Sequence, residues 1–190
     1  MSITISLQNA SRALDAMARH GSVPRIEEAI DRLTEAARND KPILVCGNGG
    51  SAADSMHIAG ELVGRFLKER RALNCRSLAS DPAILTAWSN DYEFRTVFSR
   101  QVEAYGQAGG VVLGLSTSGN SANVIAAFEA GRAKGMATIA LTGLGGGRMA
   151  DAADILIDVP STLTPEIQQV HICIYHYICA EVEARICAAS

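Results

Sequence analysis

After Asp40 the chain alternates short apolar runs with stretches of helical character, and this alternation constrains the fold more than any other feature. The runs lie at residues 42–46, 73–78, 111–115, 136–142 and 154–159. Most are continuously apolar, the pattern of strands covered on both faces in a parallel sheet. Helical stretches at 51–65, 81–100 (with a break near Asn90) and 121–134 separate them, and a last helix runs from 164 to about 187. There Thr164 is placed to cap, Pro165 suits the first helical position and Glu166 complements the dipole. Ahead of the first strand, Ile3, Leu7, Ala10, Leu14 and Met17 recur at spacings of four and three, and Ile26, Ile30 and Leu33 mark a second helix over 24–38. His20 then reads as a cap at the end of the first helix. This hairpin, residues 1–40, either folds back on its own sheet or packs against another subunit, and the open apolar stripe favours the subunit. No repeat, low-complexity stretch or linker divides the chain. The expectation is one doubly wound α/β domain over residues 1–190, with about five parallel strands.

Composition narrows the function. At 190 residues and 48% hydrophobic content the chain can bury one sizeable core. Its 20 acidic and 17 basic residues, a net charge of -3, argue against nucleic acid as a partner, because phosphate backbones need a basic surface. No apolar stretch is long enough to span a membrane and the start of the chain lacks a signal pattern, so a cytoplasmic protein is expected. Cys46, Cys75, Cys173, Cys179 and Cys187 are odd in number, form no C-x-x-C and lie mostly in apolar runs, which reads as reduced, buried thiols.

Two loops carry the chemistry. Cys46-Gly47-Asn48-Gly49-Gly50-Ser51 joins a strand to a helix, where glycines bring backbone N–H groups close to a ligand and the helix points its positive end at the same spot. Gly47, Gly49 and Ala52 also satisfy a loose dinucleotide fingerprint, but it does not open the fold and the acidic residue after the next strand, Asp81, comes late. Ser116-Thr117-Ser118-Gly119-Asn120-Ser121 is more telling. A helix cap needs one hydroxyl, whereas four beside a helix N-terminus suit the oxygens of a phosphate. In a doubly wound sheet both loops fall at the carboxyl ends of strands, where ligands bind. Gly143–Gly147 is either a third ligand loop or simply a flexible one.

His57 and Glu61, four apart on a helix, share a face with their β-carbons within ~6 Å, as either a surface hydrogen bond or an acid–base pair. His176 lies in the apolar run ICIYHYICA, where a lone histidine is either core or site. His171 projects from a different face and reads as structural.

With GNGGSAADSMHIAGEL (Gly47–Leu62), SNDYEF (Ser89–Phe94), STSGNSANV (Ser116–Val124) and IQQVHICIYH (Ile167–His176), the chain resembles the SIS (sugar isomerase) domain family. Within it, His57, Glu61, Gln168 and His176 resemble the branch that isomerises sedoheptulose 7-phosphate in bacterial heptose synthesis. The resemblance covers essentially the whole chain. It implies a five-stranded parallel sheet, a homotetramer and active sites at subunit boundaries. It implies that Asn48, Gly49, Gly50 and Ser51, with Ser116, Thr117, Ser118 and Ser121, bind the sugar phosphate, and that Asn90 and Asp91 line the same pocket. It further implies zinc held by His57, Glu61, Gln168 and His176, with Glu61 and His176 as acid and base and Glu61 and Gln168 also touching substrate. Gln168 and His176 are separated by ~12 Å of helix, so one ion reaches both only if the side chains lean together. Glutamine is also an uncommon zinc ligand. Pro165 stands where some relatives carry an acidic residue. Two other roles exist on this fold: a non-catalytic tetramer that binds the bacterial replication initiator, and a sugar-phosphate-sensing regulator. Glu61 and His176 favour the enzyme over the first. The lack of an attached helix-turn-helix pattern disfavours the second.

Overall fold

The computed structural model describes residues 2–188. The two leading helices are α1 (Ile3–Met17) and α2 (Val23–Arg38). The sheet strands are β1 (Ile43–Gly47), β2 (Cys75–Ser77), β3 (Val111–Ser116), β4 (Ala137–Thr142) and β5 (Ile155–Asp158). Between and after them come α3 (Gly50–Val63), α4 (Pro82–Asp91), α5 (Val97–Tyr105), α6 (Ala122–Ala133), α7 (Met149–Ala152) and α8 (Thr164–Cys187). All strand pairs are parallel, in the order β2-β1-β3-β4-β5. The expected fold class is the observed one.

β1 and β3 are burial-saturated along their whole length, which is why they read as unbroken apolar runs. Alternate residues feed two cores. Ile43, Val45, Val111, Leu113, Ile139 and Leu141 face α1, α2, α3 and α8, whereas Leu44, Val112 and Ala140 face α5 and α6. The second strand is shorter than its apolar run suggested. Leu73 and Cys75 turn their N–H groups to Leu62 and Leu73 carbonyls, so only Cys75–Ser77 pairs with β1 at the sheet edge. The break near Asn90 is real: α4 stops at Asp91, a 3-10 turn spans Phe94–Thr96, and α5 follows.

The leading hairpin divides its labour. α2 buries Ile26, Ala29, Ile30, Leu33, Ala36 and Ala37 in the first core, on its own sheet. α1 buries only Ala13 and Met17, and leaves Ile3 (72% exposed) and Leu7 (64%) open. His20 does not cap α1, which ends at Met17. Its Nδ1 lies 2.7 Å from the Ser22 hydroxyl and 3.7 Å from Asp158 at the end of β5. Leu163, rather than Thr164, occupies the N-cap of α8, and Glu166 accepts a hydrogen bond from Ser161 at 2.7 Å.

All five cysteines are free thiols, and burial pushes Cys46 and Cys179 up to about 12. Among the described residues, no helix is long and apolar enough to cross a membrane.

Candidate functional site

In a sheet of order 2-1-3-4-5, the crevice for ligands opens where the connections diverge, between β1 and β3. Gly47 pairs with Leu115 across that divide, so the loops leaving β1 and β3 emerge side by side. A reciprocal amide pair joins them: Asn48 Nδ2 donates to Asn123 Oδ1, and Asn123 Nδ2 donates to Asn48 Oδ1, both at 2.9 Å. Asn123, 3% exposed in the first turn of α6, ties the two loops together and was not singled out in the motif reading. No local signal marks it, because its partner Asn48 lies 75 residues away.

Three hydroxyls of the serine loop face one another rather than capping α6. Ser116 Oγ lies 2.8 Å from Ser121 Oγ and 3.4 Å from Ser118 Oγ. Ser121 makes no side-chain cap on α6, and Gly49 cannot make one on α3. By contrast, Ser2 and Asp81 do cap α1 and α4. Two helix N-termini without side-chain caps therefore converge beside a hydroxyl cluster, which is the arrangement an anion needs. Gly49 takes φ +57, a conformation that an L side chain rarely adopts, to start α3.

Gly143–Gly147 proves to be a brace. Gly143 N–H donates to Thr117 at 3.1 Å, and Met149 N–H to Gly119 at 2.8 Å. Asn120 Oδ1 accepts from Arg148 N–H at 3.1 Å. A Cβ on Gly119 would run into the Gly146 carbonyl, so the two loops approach as closely as glycine permits.

Along α3, two to three turns from the first loop, lies a cluster of His57, Glu61 and His176 whose ligand atoms all fall within 4.8 Å of one another. His57 Nε2 is 3.0 Å from Glu61 Oε1 and 3.5 Å from His176 Nε2. Tetrahedral ligands at zinc distances of ~2.0–2.1 Å stand ~3.3 Å apart, so this spacing fits an ion. The hydrogen-bond chain supports the same conclusion. Tyr175 O–H donates to Asp54 Oδ1 at 3.3 Å, which leaves its oxygen to accept from His57 Nδ1–H at 3.0 Å. His57 then turns the lone pair of Nε2 towards the Glu61 carboxylate, and a cation between them satisfies both. Burial pushes the Tyr175 phenol up, with the Asp54 charge and hydrogen bond adding to it, so it stays a donor. Burial likewise raises Asp54, opposed by the Tyr175 bond and His57.

α8 runs alongside α3 in the same direction, and this decides where Gln168 falls. Its amide lies against Gly50, where a Cβ would overlap Nε2, while His176 meets His57 about 10 Å further along. Within one chain the Gln168 amide thus lies at the first-loop end of α3, away from His57 and Glu61. Thr117 approaches Thr164 at 3.4 Å. Asn90 and Asp91 are exposed at the end of α4 and hydrogen-bond each other at 3.0 Å. His171 is buried as expected, with Nε2 3.1 Å from the Thr142 carbonyl.

A parallel sheet with a hydroxyl-rich anion cradle at its switch point, next to a carboxylate–imidazole cluster, defines the phosphosugar-handling class of α/β domain. Residues 7–143 match the family model described as SIS domain. A phosphoheptose isomerase of Rhodospirillum rubrum is 51% identical over 177 residues, 93% of this chain and 94% of that one. The structure is similar to phosphoheptose isomerases of Neisseria gonorrhoeae (TM-score 0.90, 40% identity, 96% and 97% of the two chains) and Francisella tularensis (TM-score 0.91, 32% identity, 96% of each). The chain belongs to the SIS domain family and, within it, to the phosphoheptose isomerases.

Proposed function

We propose that this chain is an aldose–ketose isomerase that converts sedoheptulose 7-phosphate to D-glycero-D-manno-heptose 7-phosphate for bacterial heptose biosynthesis. The observation that carries the reading is the convergence of His57 and Glu61, on the helix that leaves the first loop, with His176 of α8. The names and identities of the relatives support it.

Asn48, Gly49, Gly50 and Ser51, with Ser116, Thr117, Ser118 and Ser121, hold the phosphate through backbone N–H groups and hydroxyls. The sugar then extends along α3, with Asn90 and Asp91 contributing to the pocket. The amide of Gln168 over Gly50 supports a contact to substrate more than to a metal. From Gly50 to His57 and Glu61 is ~10–16 Å of helix, a span suited to a sugar whose reacting end is remote from its phosphate. Glu61 takes the proton from C1, electrons shift to form the C1–C2 enediol, and the same carboxylate returns the proton to C2. His176 hands protons between the C1 and C2 oxygens. His57, Glu61 and His176 would hold a zinc ion, which supplies Lewis acidity at those oxygens when bound.

We infer a cytoplasmic homotetramer from the family resemblance, and the exposed apolar stripe of α1 supports a subunit interface on the leading hairpin. So does a cavity of about 540 Å³ lined by Leu14, Met17, Val23, Ile26, Val170 and Tyr177. Purified protein incubated with sedoheptulose 7-phosphate and zinc should yield the aldose by NMR. Intact, folded oligomer without turnover would sink the reading in favour of a non-catalytic assembly factor.

A further inference from the structure

Between α3 and β2 the chain crosses the surface as Gly64-Arg65-Phe66-Leu67-Lys68-Glu69-Arg70-Arg71-Ala72. A charged connection of this kind is ordinarily loose. This one is pinned by Glu183, a carboxylate of α8 that is 1% exposed. Glu183 Oε1 accepts from Phe66 N–H at 2.9 Å, and Oε2 accepts from Leu67 and Lys68 N–H at 2.6 and 2.7 Å. The Arg70 side chain, 3% exposed, brings Nε to 3.4 Å from Glu183 Oε1. Its Nη2 donates to the Glu61 carbonyl at 2.7 Å and Nη1 to the Gly64 carbonyl at 2.8 Å. Burial alone would raise the Glu183 carboxyl; the three N–H donors and Arg70 outweigh it and hold the group below its ordinary range. An ionised buried carboxylate is tolerable only with its acceptors saturated, so this turn has one shape.

Both arms of the clasp end on the trio. Arg70 holds the backbone of Glu61. The pinned turn presents Phe66, whose ring stacks on His176 with centroids 5.4 Å apart and planes 25° apart. A histidine that must share an ion with two partners needs its ring plane fixed; His176 is only partly buried, Tyr175 and His57 meet its ring edge-on, and Phe66 covers its face.

We propose that Glu183, balanced by Arg70, is a positioning residue that acts through Phe66 to hold the His176 imidazole in register with His57 and Glu61. The inference rests on the reading of the trio as a zinc-holding isomerase site.

The test uses full-length wild type, Phe66→Leu, Glu183→Gln and the double variant. Zinc affinity is measured by competition with a chromophoric chelator, alongside metal-free melting temperature, kcat and KM. Phe66→Leu keeps a large apolar side chain, so melting should shift by only a few degrees. Zinc affinity should fall ~10-fold or more, and kcat should fall while KM stays within about twofold. The double variant should bind zinc no more weakly than Glu183→Gln alone, since losing the Glu183 carboxylate already releases Phe66. If Glu183→Gln does not fold, Phe66→Leu decides alone. Zinc affinity and kcat at wild-type levels in Phe66→Leu, or losses that multiply in the double variant, would overturn the inference. A wild type that neither binds zinc nor isomerises the sugar phosphate would instead overturn the reading of the site.

Discussion

Lowering the pH should destabilise this protein through His171, over a window that its surroundings define. His171 is fully buried on α8, with Nε2–H donating to the Thr142 carbonyl at the end of β4 and Nδ1 without a partner. A second proton would create a buried N–H with no acceptor. Burial accordingly lowers the imidazole to about 4, with the Thr142 bond opposing the shift in part. The unfolded chain, with histidine near its ordinary value of ~6.5, binds the proton first, so stability is lost as pH falls from about 6.5 towards 4. Linkage puts the loss at about 2 kcal/mol by pH 5 and about 3 kcal/mol in full. The assay is urea unfolding at fixed protein concentration between pH 7.5 and 4, for wild type and His171→Leu. The variant sacrifices the Thr142 bond at every pH, but the difference between the two curves should shrink by about 2 kcal/mol between pH 7 and 5. A difference that stays flat would refute the reasoning, because other titrating groups cancel in the subtraction.

Asn123→Ala should leave the Asn48 amide without its partner. It should cost about 1–2 kcal/mol of stability and weaken inorganic phosphate binding ~10-fold; calorimetry with unchanged phosphate affinity would show that the amide pair does not set the loops. Tyr175→Phe retains the ring but removes the hydroxyl between Asp54 and His57. Zinc affinity should drop ~10–100-fold in a chelator competition, and wild-type affinity would disprove the assignment of the His57 tautomer.

The sheet was legible because β1, β3 and β4 are buried on both faces, so their composition is dictated by position alone. The anion loops were legible for a related reason: glycine at the start of α3 and clustered hydroxyls before α6 are local demands written at adjacent positions. Asn123 and Tyr175 were not. Each is paired with a residue distant in sequence, and inside an apolar helix nothing marks one polar atom as facing a site. The Glu183–Arg70 clasp is hidden in the same way, since a glutamate and an arginine in charged surroundings read as solvated surface. The separation of Gln168 from His176 was half visible. Helix rise set the distance, but only the parallel run of α8 beside α3 showed which end of α3 each residue lies against. His20 and Thr164 missed their expected cap positions by two residues and one, within the usual scatter of helix ends.

The central claim is that Glu61 moves the proton while the two loops hold the phosphate, and Glu61→Gln tests it most directly. Turnover of sedoheptulose 7-phosphate should fall by roughly 10²–10⁴-fold, with affinity for the sugar phosphate, measured by calorimetry, kept within a few-fold of wild type. Turnover reduced only modestly, or lost together with phosphate binding, would contradict the account.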